Sequence, residues 1–148
     1  KHPDGVYYAY TNNGREHTGI NVLDWAKEVA ERGAGEILLT SIDKEGTGDG
    51  FDIDLIKLVT SVVDIPIIAH GGAGNPDDIS NVIIEGGADA VAASSIFHYG
   101  FINSTLSYHD EEGNIEFIKQ KRSFKTFGDQ TIKSVKNSLT TNKINVRQ

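Results

Sequence analysis

"IPIIAHGGAGNPDDIS", residues 65–80, runs from an apolar stretch through a cluster of glycines into Asn-Pro-Asp-Asp. A short continuous apolar run of this kind marks a strand buried on both faces of a parallel sheet. Asn75 is a helix-capping residue, Pro76 fits the first helical position, and Asp77 and Asp78 favour the positive end of the helix dipole. A strand, a loop of bare backbone and a helix therefore follow one another directly, which is one βα unit.

The same unit recurs on both sides of it. Upstream, "GEILLTSI" is a second buried strand, followed by the glycine-rich "DKEGTGDG" and by helical spacing through Leu55, Ile56, Val59 and Val62. Downstream, the helix after Asn75 stops at Gly86-Gly87, and "ADAVAAS" is a third strand that ends in "SIFHYG". A period of about 25 to 30 residues is the length of a βα unit in a parallel sheet. Ahead of these units, "GVYYAYTNNGREHTGI" is β-rich and carries Asn13-Gly14, a strong hairpin signal. "NVLDWAKEVAERG" then spaces Leu23, Ala26, Val29 and Ala30 as a helix, with Asn21 at its start, Gly33 at its end and Trp25 in the core. Beyond Gly100 the pattern weakens. Residues 101–127 read as an insertion with one short hairpin, and "QTIKSVKNSLTTN" resumes as an amphipathic helix through Ile132, Val135 and Leu139. No linker is evident, so residues 1–148 are taken as a single domain.

Composition narrows the function. The chain has 148 residues, a hydrophobic fraction of 38% and a net charge of −7, the profile of an ordinary globular protein. The acidic balance argues against a nucleic-acid surface, and the basic run Lys119 to Lys125 reads as a solvated face. With no Cys, thiolate chemistry and disulfides are excluded, and a reducing, cytoplasmic setting fits. No apolar stretch has the length of a membrane span. No Met occurs even at position 1, and "KHPDG" reads as the middle of something longer.

In a parallel βα array, ligands bind at the carboxyl ends of the strands. The three loops there are built from small residues: Gly46, Gly48 and Gly50; Gly71, Gly72 and Gly74; Ser94 and Ser95. Glycine admits a ligand close to the backbone, and amides converging near a helix start favour phosphate. The same glycines also suit tight strand-to-helix turns, but three matched loops favour a phosphate cradle. Asp43, Glu45, Thr47, Gly48 and Asp54 stand at calcium-loop positions, yet the preceding strand, the final Asp and Phe51 at a ligand position weigh against calcium. Among the five histidines no helical i, i+4 pair occurs, so no metal site is expected. His70 ends a strand and faces the loops; it is read as a hydrogen-bond partner for substrate, an acid or base, or a satisfied polar residue. His98 reads as packing.

"GREHTGINVLDWAKEVAERGAGEILLTSIDKEGTGDGFD", "PIIAHGGAG" and "GADAVAASSIFHYG" resemble the carboxyl-terminal half of the cyclase subunit of imidazole glycerol phosphate synthase, a family of histidine biosynthesis. The resemblance runs from about Gly5 to Tyr99 and resumes at the last helix and "INVR". It implies an α/β fold, a (β/α)₈ TIM barrel represented here by strands six to eight, with Lys1 entering near the end of strand five. It implies a lyase whose substrate is a phosphoribulosyl aminoimidazole carboxamide nucleotide with a phosphate at each end. The products are imidazole glycerol phosphate and aminoimidazole carboxamide ribotide, and ammonia arrives from a partner glutaminase. Carried over by position, one phosphate is held by the backbone of Gly46, Gly72 and Ser94 and the hydroxyl of Ser95, while Thr40, Glu45 and Thr47 line the cavity, with His70 near the reacting atoms. No cofactor is implied.

Departures from the family accompany it. Both catalytic aspartates fall upstream of Lys1, so none stands in this chain. Glu45 replaces a more usual Asp, and His70 stands where Ser is common, which leaves open a paralogue of surface-polysaccharide sugar synthesis. A further alternative is a phosphate-binding half-barrel without catalysis that associates with itself, because strands cut from a barrel expose unpaired edges.

Overall fold

A computed structural model describes residues 1–99, 128 and 130–147. The expected insertion at 101–127 and its basic run lie outside the described residues. Chain order is β1 (Tyr8–Thr11), β2 (Glu16–Asn21), α1 (Val22–Glu31), β3 (Ile37–Thr40), α2 (Ile53–Thr60), β4 (Ile67–His70), α3 (Pro76–Ile84), β5 (Ala90–Ala92) and α4 (Ile132–Thr141). The architecture is α/β with a parallel sheet.

β1 and β2 form the hairpin that Asn13-Gly14 announces, with a bulge between Tyr8 and Tyr10. Asn12, Asn13 and Gly14 all adopt positive φ, a conformation that Asn and Gly tolerate. Each helix start is satisfied locally. Asn21 accepts from the Leu23 amide, Asp52 from Leu55, and Asn75 from both Asp77 and Asp78, whose own carboxylate closes a capping box with Asn75.

β3, β4 and β5 run parallel in that order, with Leu39 beside Ala69, Ala69 beside Val91, and Thr40, His70 and Ala92 in a row across their ends. The carboxylate of Asp89 accepts from the Ile67 amide at 2.9 Å and the Asp89 amide returns a bond to the Ile67 carbonyl, pinning the start of β4 beside β5. Leu39, Ile67 and Ala69 point to one face and are buried against Leu55, Ile56, Val59, Ile79 and Val82 of α2 and α3, the core of the molecule. α4 rests on α3 through buried Val135 and Leu139, and Asn142 Nδ2 donates to Ser80 Oγ at 3.0 Å.

The opposite face of the sheet is open. Leu38 is 58% exposed, although its run of apolar residues predicts burial on both faces. No helix or strand of the described residues covers this side, and the outer edge of β3 pairs with none of them. Trp25 is 40% exposed rather than in the core, because its side of α1 faces the groove along that edge. Ile132, the first residue of α4, is likewise 64% exposed.

This asymmetry fixes the cost of truncating the two faces. Ile67→Ala removes a side chain only 1% exposed and should cost about 2–5 kcal/mol, whereas Leu38→Ala should cost under roughly 1 kcal/mol in the isolated chain. Urea unfolding of both variants makes the comparison, and equal losses would contradict a one-sided core.

Candidate functional site

The loops that leave the three parallel strands converge at one end of the sheet. Loop 41–52 joins β3 to α2, loop 71–75 joins β4 to α3, and residues 93 and 94 lead from β5 into helical residues 95–99. They enclose a cavity of about 240 Å³ lined by Glu45, Gly46, Gly48, His70, Gly71, Gly72, Ala73, Ala92, Ala93, Ser94 and Ser95. Gly46, Gly72, Ser94 and Ser95, from three separate loops, are thus brought together with Glu45 and His70.

Thr40 lies one strand over, on the same sheet face as His70, and its Oγ1 is 3.0 Å from His70 Nδ1. Thr40, Glu45 and His70 also line a larger groove of about 850 Å³ between the hairpin and the edge of β3. Thr47 enters neither wall. Its hydroxyl donates to the Lys44 carbonyl at 2.8 Å and accepts from the Asp49 amide at 3.2 Å, so it shapes the loop itself. His98 is exposed and meets Tyr99 edge-on at 5.3 Å.

The glycines have a second task that the sequence hinted at only as a turn preference. The Gly50 amide donates to the Gly72 carbonyl at 2.9 Å, and the two loops lie main chain against main chain. A Cβ on Gly72 would stand 2.2 Å from the Gly50 oxygen, and one on Gly74 would stand 2.1 Å from the Gly48 oxygen. Gly72 also adopts φ +114°, which side chains disfavour. Gly46 differs in space but not in conformation: an added Cβ there meets nothing within 4 Å, yet its φ of +75° disfavours a side chain.

The start of α3 is also closed from within. Asp78 takes the amides of Gly74 and Asn75, and Asn75 takes those of Asp77 and Asp78. The helix start that the sequence suggested as an anion site has therefore spent its amides on its own side chains, and the cavity lies before it, at Gly71, Gly72 and Ala73.

Asp52 was not singled out in the sequence, although an Asp before an apolar helical pattern is a cap signal. Besides capping α2, it accepts from the Tyr7 hydroxyl at 2.8 Å and from Ser41 Oγ at 3.3 Å. This cluster ties the hairpin to the end of β3. No local pattern predicts it, since Tyr7 and Asp52 are 45 residues apart. Burial, reinforced by the Asp52 carboxylate, holds the Tyr7 phenol well above its ordinary range.

Comparison with known proteins identifies the frame around this site. Residues 3–103 match the family described as "Histidine biosynthesis protein". The chain belongs to that family. The histidine biosynthesis relatives include the imidazole glycerol phosphate synthase subunit HisF of Leptospira biflexa, 62% identical over 100 residues that make up 67% of this chain and 39% of the relative. The protein of the same name from Alkaliphilus metalliredigens is 50% identical over 100 residues, 68% of this chain and 40% of the relative. That from Hyphomonas neptunium is 57% identical over 91 residues, 62% and 36%. The chain spans about two fifths of the length of these curated relatives. All three βα units and their loops fall inside the part that matches the family.

Two outcomes follow from the geometry. Gly72→Ala should destabilise by roughly 2–4 kcal/mol through strain and backbone overlap, against about 1 kcal/mol for Gly46→Ala, read by chemical denaturation. Tyr7 holds its proton in the folded state above the free value of 10.0, so its contribution is whole below that pH and lost as pH rises past it. Stability should therefore begin to fall near pH 10 and keep falling as pH rises toward the raised folded-state value, and Tyr7→Phe should flatten the fall in thermal unfolding midpoints.

Proposed function

We propose that this chain is the carboxyl-terminal half of a TIM barrel that, when complete, acts as the cyclase of imidazole glycerol phosphate synthase in histidine biosynthesis. The convergence of Gly46, Gly72, Ser94 and Ser95 from three loops into one cavity carries the reading. Backbone amides and hydroxyls gathered at strand ends suit the three oxygens of a phosphate. The relatives' names supply the reaction, and the open sheet face and unpaired β3 edge are the surfaces against which the rest of a barrel closes.

On this reading the smaller cavity holds one phosphate of the bisphosphorylated nucleotide. Gly46, Gly72 and Ser94 offer backbone, Ser95 its hydroxyl, and the ligand continues toward the groove past Thr40, Glu45 and His70, with Thr47 shaping the loop that carries Glu45. The reaction adds ammonia and closes an imidazole ring, which requires an acid and a base. The family's two catalytic aspartates lie in the other half, and a glutaminase partner delivers the ammonia. The chain alone therefore binds without turning over.

A second reading is favoured by the uncovered face of Leu38 and the free edge of β3. There the chain is a phosphate-binding half-barrel that pairs with a copy of itself and catalyses nothing.

The test mixes this chain with a separately produced amino-terminal segment of the Leptospira relative and follows ammonia-dependent cyclisation. Turnover should appear in the mixture and not in either part. Ser95→Asp, which places a negative charge in the cavity, should lower binding of the bisphosphate substrate by roughly a hundredfold. Turnover by the chain alone, or unchanged binding by Ser95→Asp, overturns the proposal. Light scattering that finds only a stable homodimer unable to combine with the other segment favours the second reading.

A further inference from the structure

Among the described residues that line the small cavity, one, His70, is able to carry positive charge. Its wall consists of glycines, alanines, Ser94, Ser95, the carboxylate of Glu45 and the imidazole of His70. Amides and hydroxyls are neutral donors and Glu45 repels an anion. A cation beside a phosphate dianion there would add to the amide and hydroxyl contacts, because charge-assisted hydrogen bonds are the stronger ones.

His70 is placed to supply it. Thr40, His70 and Ala92 stand side by side across the ends of the three strands. On one flank the Thr40 hydroxyl holds Nδ1 at 3.0 Å; on the other, Ala92 has no polar group to offer. Among the described residues the ring makes no other hydrogen bond, which leaves Nε2 for a ligand. His70 also stands in the walls of both cavities, as only Glu45 does besides. A phosphate ester whose anion sits in the small cavity must pass this imidazole to extend into the groove.

We propose that His70 is a ligand-binding residue, with Nε2 donating to the phosphoryl oxygens of a phosphomonoester while Thr40 fixes the ring through Nδ1. This rests on the phosphate-binding reading above and adds to it a side-chain donor where the small cavity meets the groove. Besides His70, the ionisable groups lining the two cavities are Glu45 and Asp43 from the loop after β3, and Lys1, His2, Tyr7, Tyr8 and Tyr10 from the amino-terminal segment. Among the described lining residues, β5 and the segment after it contribute Ala92, Ala93, Ser94 and Ser95. Glu45 opposes the anion when charged, so the wild-type affinity reflects both side chains, and the experiment separates them.

Sulfate is the probe, since its charge is constant where phosphate itself titrates. Calorimetric titration of the whole chain at about pH 5.5 and about pH 8 should show sulfate binding roughly tenfold tighter at the lower pH. His70→Gln keeps a donor without the charge and should bind with no such pH dependence. Thr40→Val should bind more weakly at both values yet retain the dependence. Glu45→Gln should bind more tightly and also retain it. Addition of sulfate should shift the Nε2 resonance of His70 in nitrogen-15 spectra, assigned by its loss in His70→Gln. A His70→Gln chain that is folded and keeps the wild-type pH dependence overturns the role of His70 while leaving the cavity as an anion site. Absence of binding by the wild type at both pH values overturns the anion site and this role with it.

Discussion

The contact between Gly50 and Gly72 is the constraint on which the rest of the site depends. Two loops from neighbouring strands meet with a peptide oxygen where a Cβ would otherwise be, and a hydrogen bond from the Gly50 amide to the Gly72 carbonyl fastens them. Only residues without side chains permit that approach. The contact sets the distance between the loops after β3 and β4, and the cavity wall follows from that distance. The close loop junction and the cavity beside it therefore share one structural cause, the absence of side chains where the two loops meet.

Behind the loops, the energy of the fold lies on one side of the sheet. Leu39, Ile67 and Ala69 bury against α2 and α3, while Leu38, Ile68 and Ala90 share the opposite face, which none of the described elements covers. Burial at the helix-covered face gives the three strands a core of their own. The open face offers apolar surface of the kind that marks an interaction site or the interior of a larger fold. The chain spans about two fifths of the length of the curated relatives, and the outer edge of β3 pairs with none of the described residues.

The hairpin is joined to this core through charge and hydrogen bonding. Asp52 caps α2, receives the Tyr7 hydroxyl and is reached by Ser41 at the end of β3, so a helix start, a strand end and the amino-terminal segment share one carboxylate. A carboxylate with several donors is well compensated as a charged group, and losing one donor strains the rest of the cluster. Tyr7 of this cluster lines the groove between hairpin and β3, and so does the Thr40–His70 pair.

Local grammar carried much of this into the sequence. Asn21, Asn75 and Pro76 mark helix starts, Asn13-Gly14 marks the hairpin, and apolar runs alternating with helical spacing give three βα units, because caps, turns and periodicity are satisfied within a few residues. The cavity residues Gly46, Gly72, Ser94 and Ser95 were legible for the same reason, since parallel βα units place every such loop at one end. The Asp52 cluster, the Gly50–Gly72 junction, and the exposure of Leu38 and Trp25 were decided only in three dimensions. Each depends on which distant segment arrives beside a residue, or on none arriving, and a side chain's own chemistry is silent on its neighbours across space.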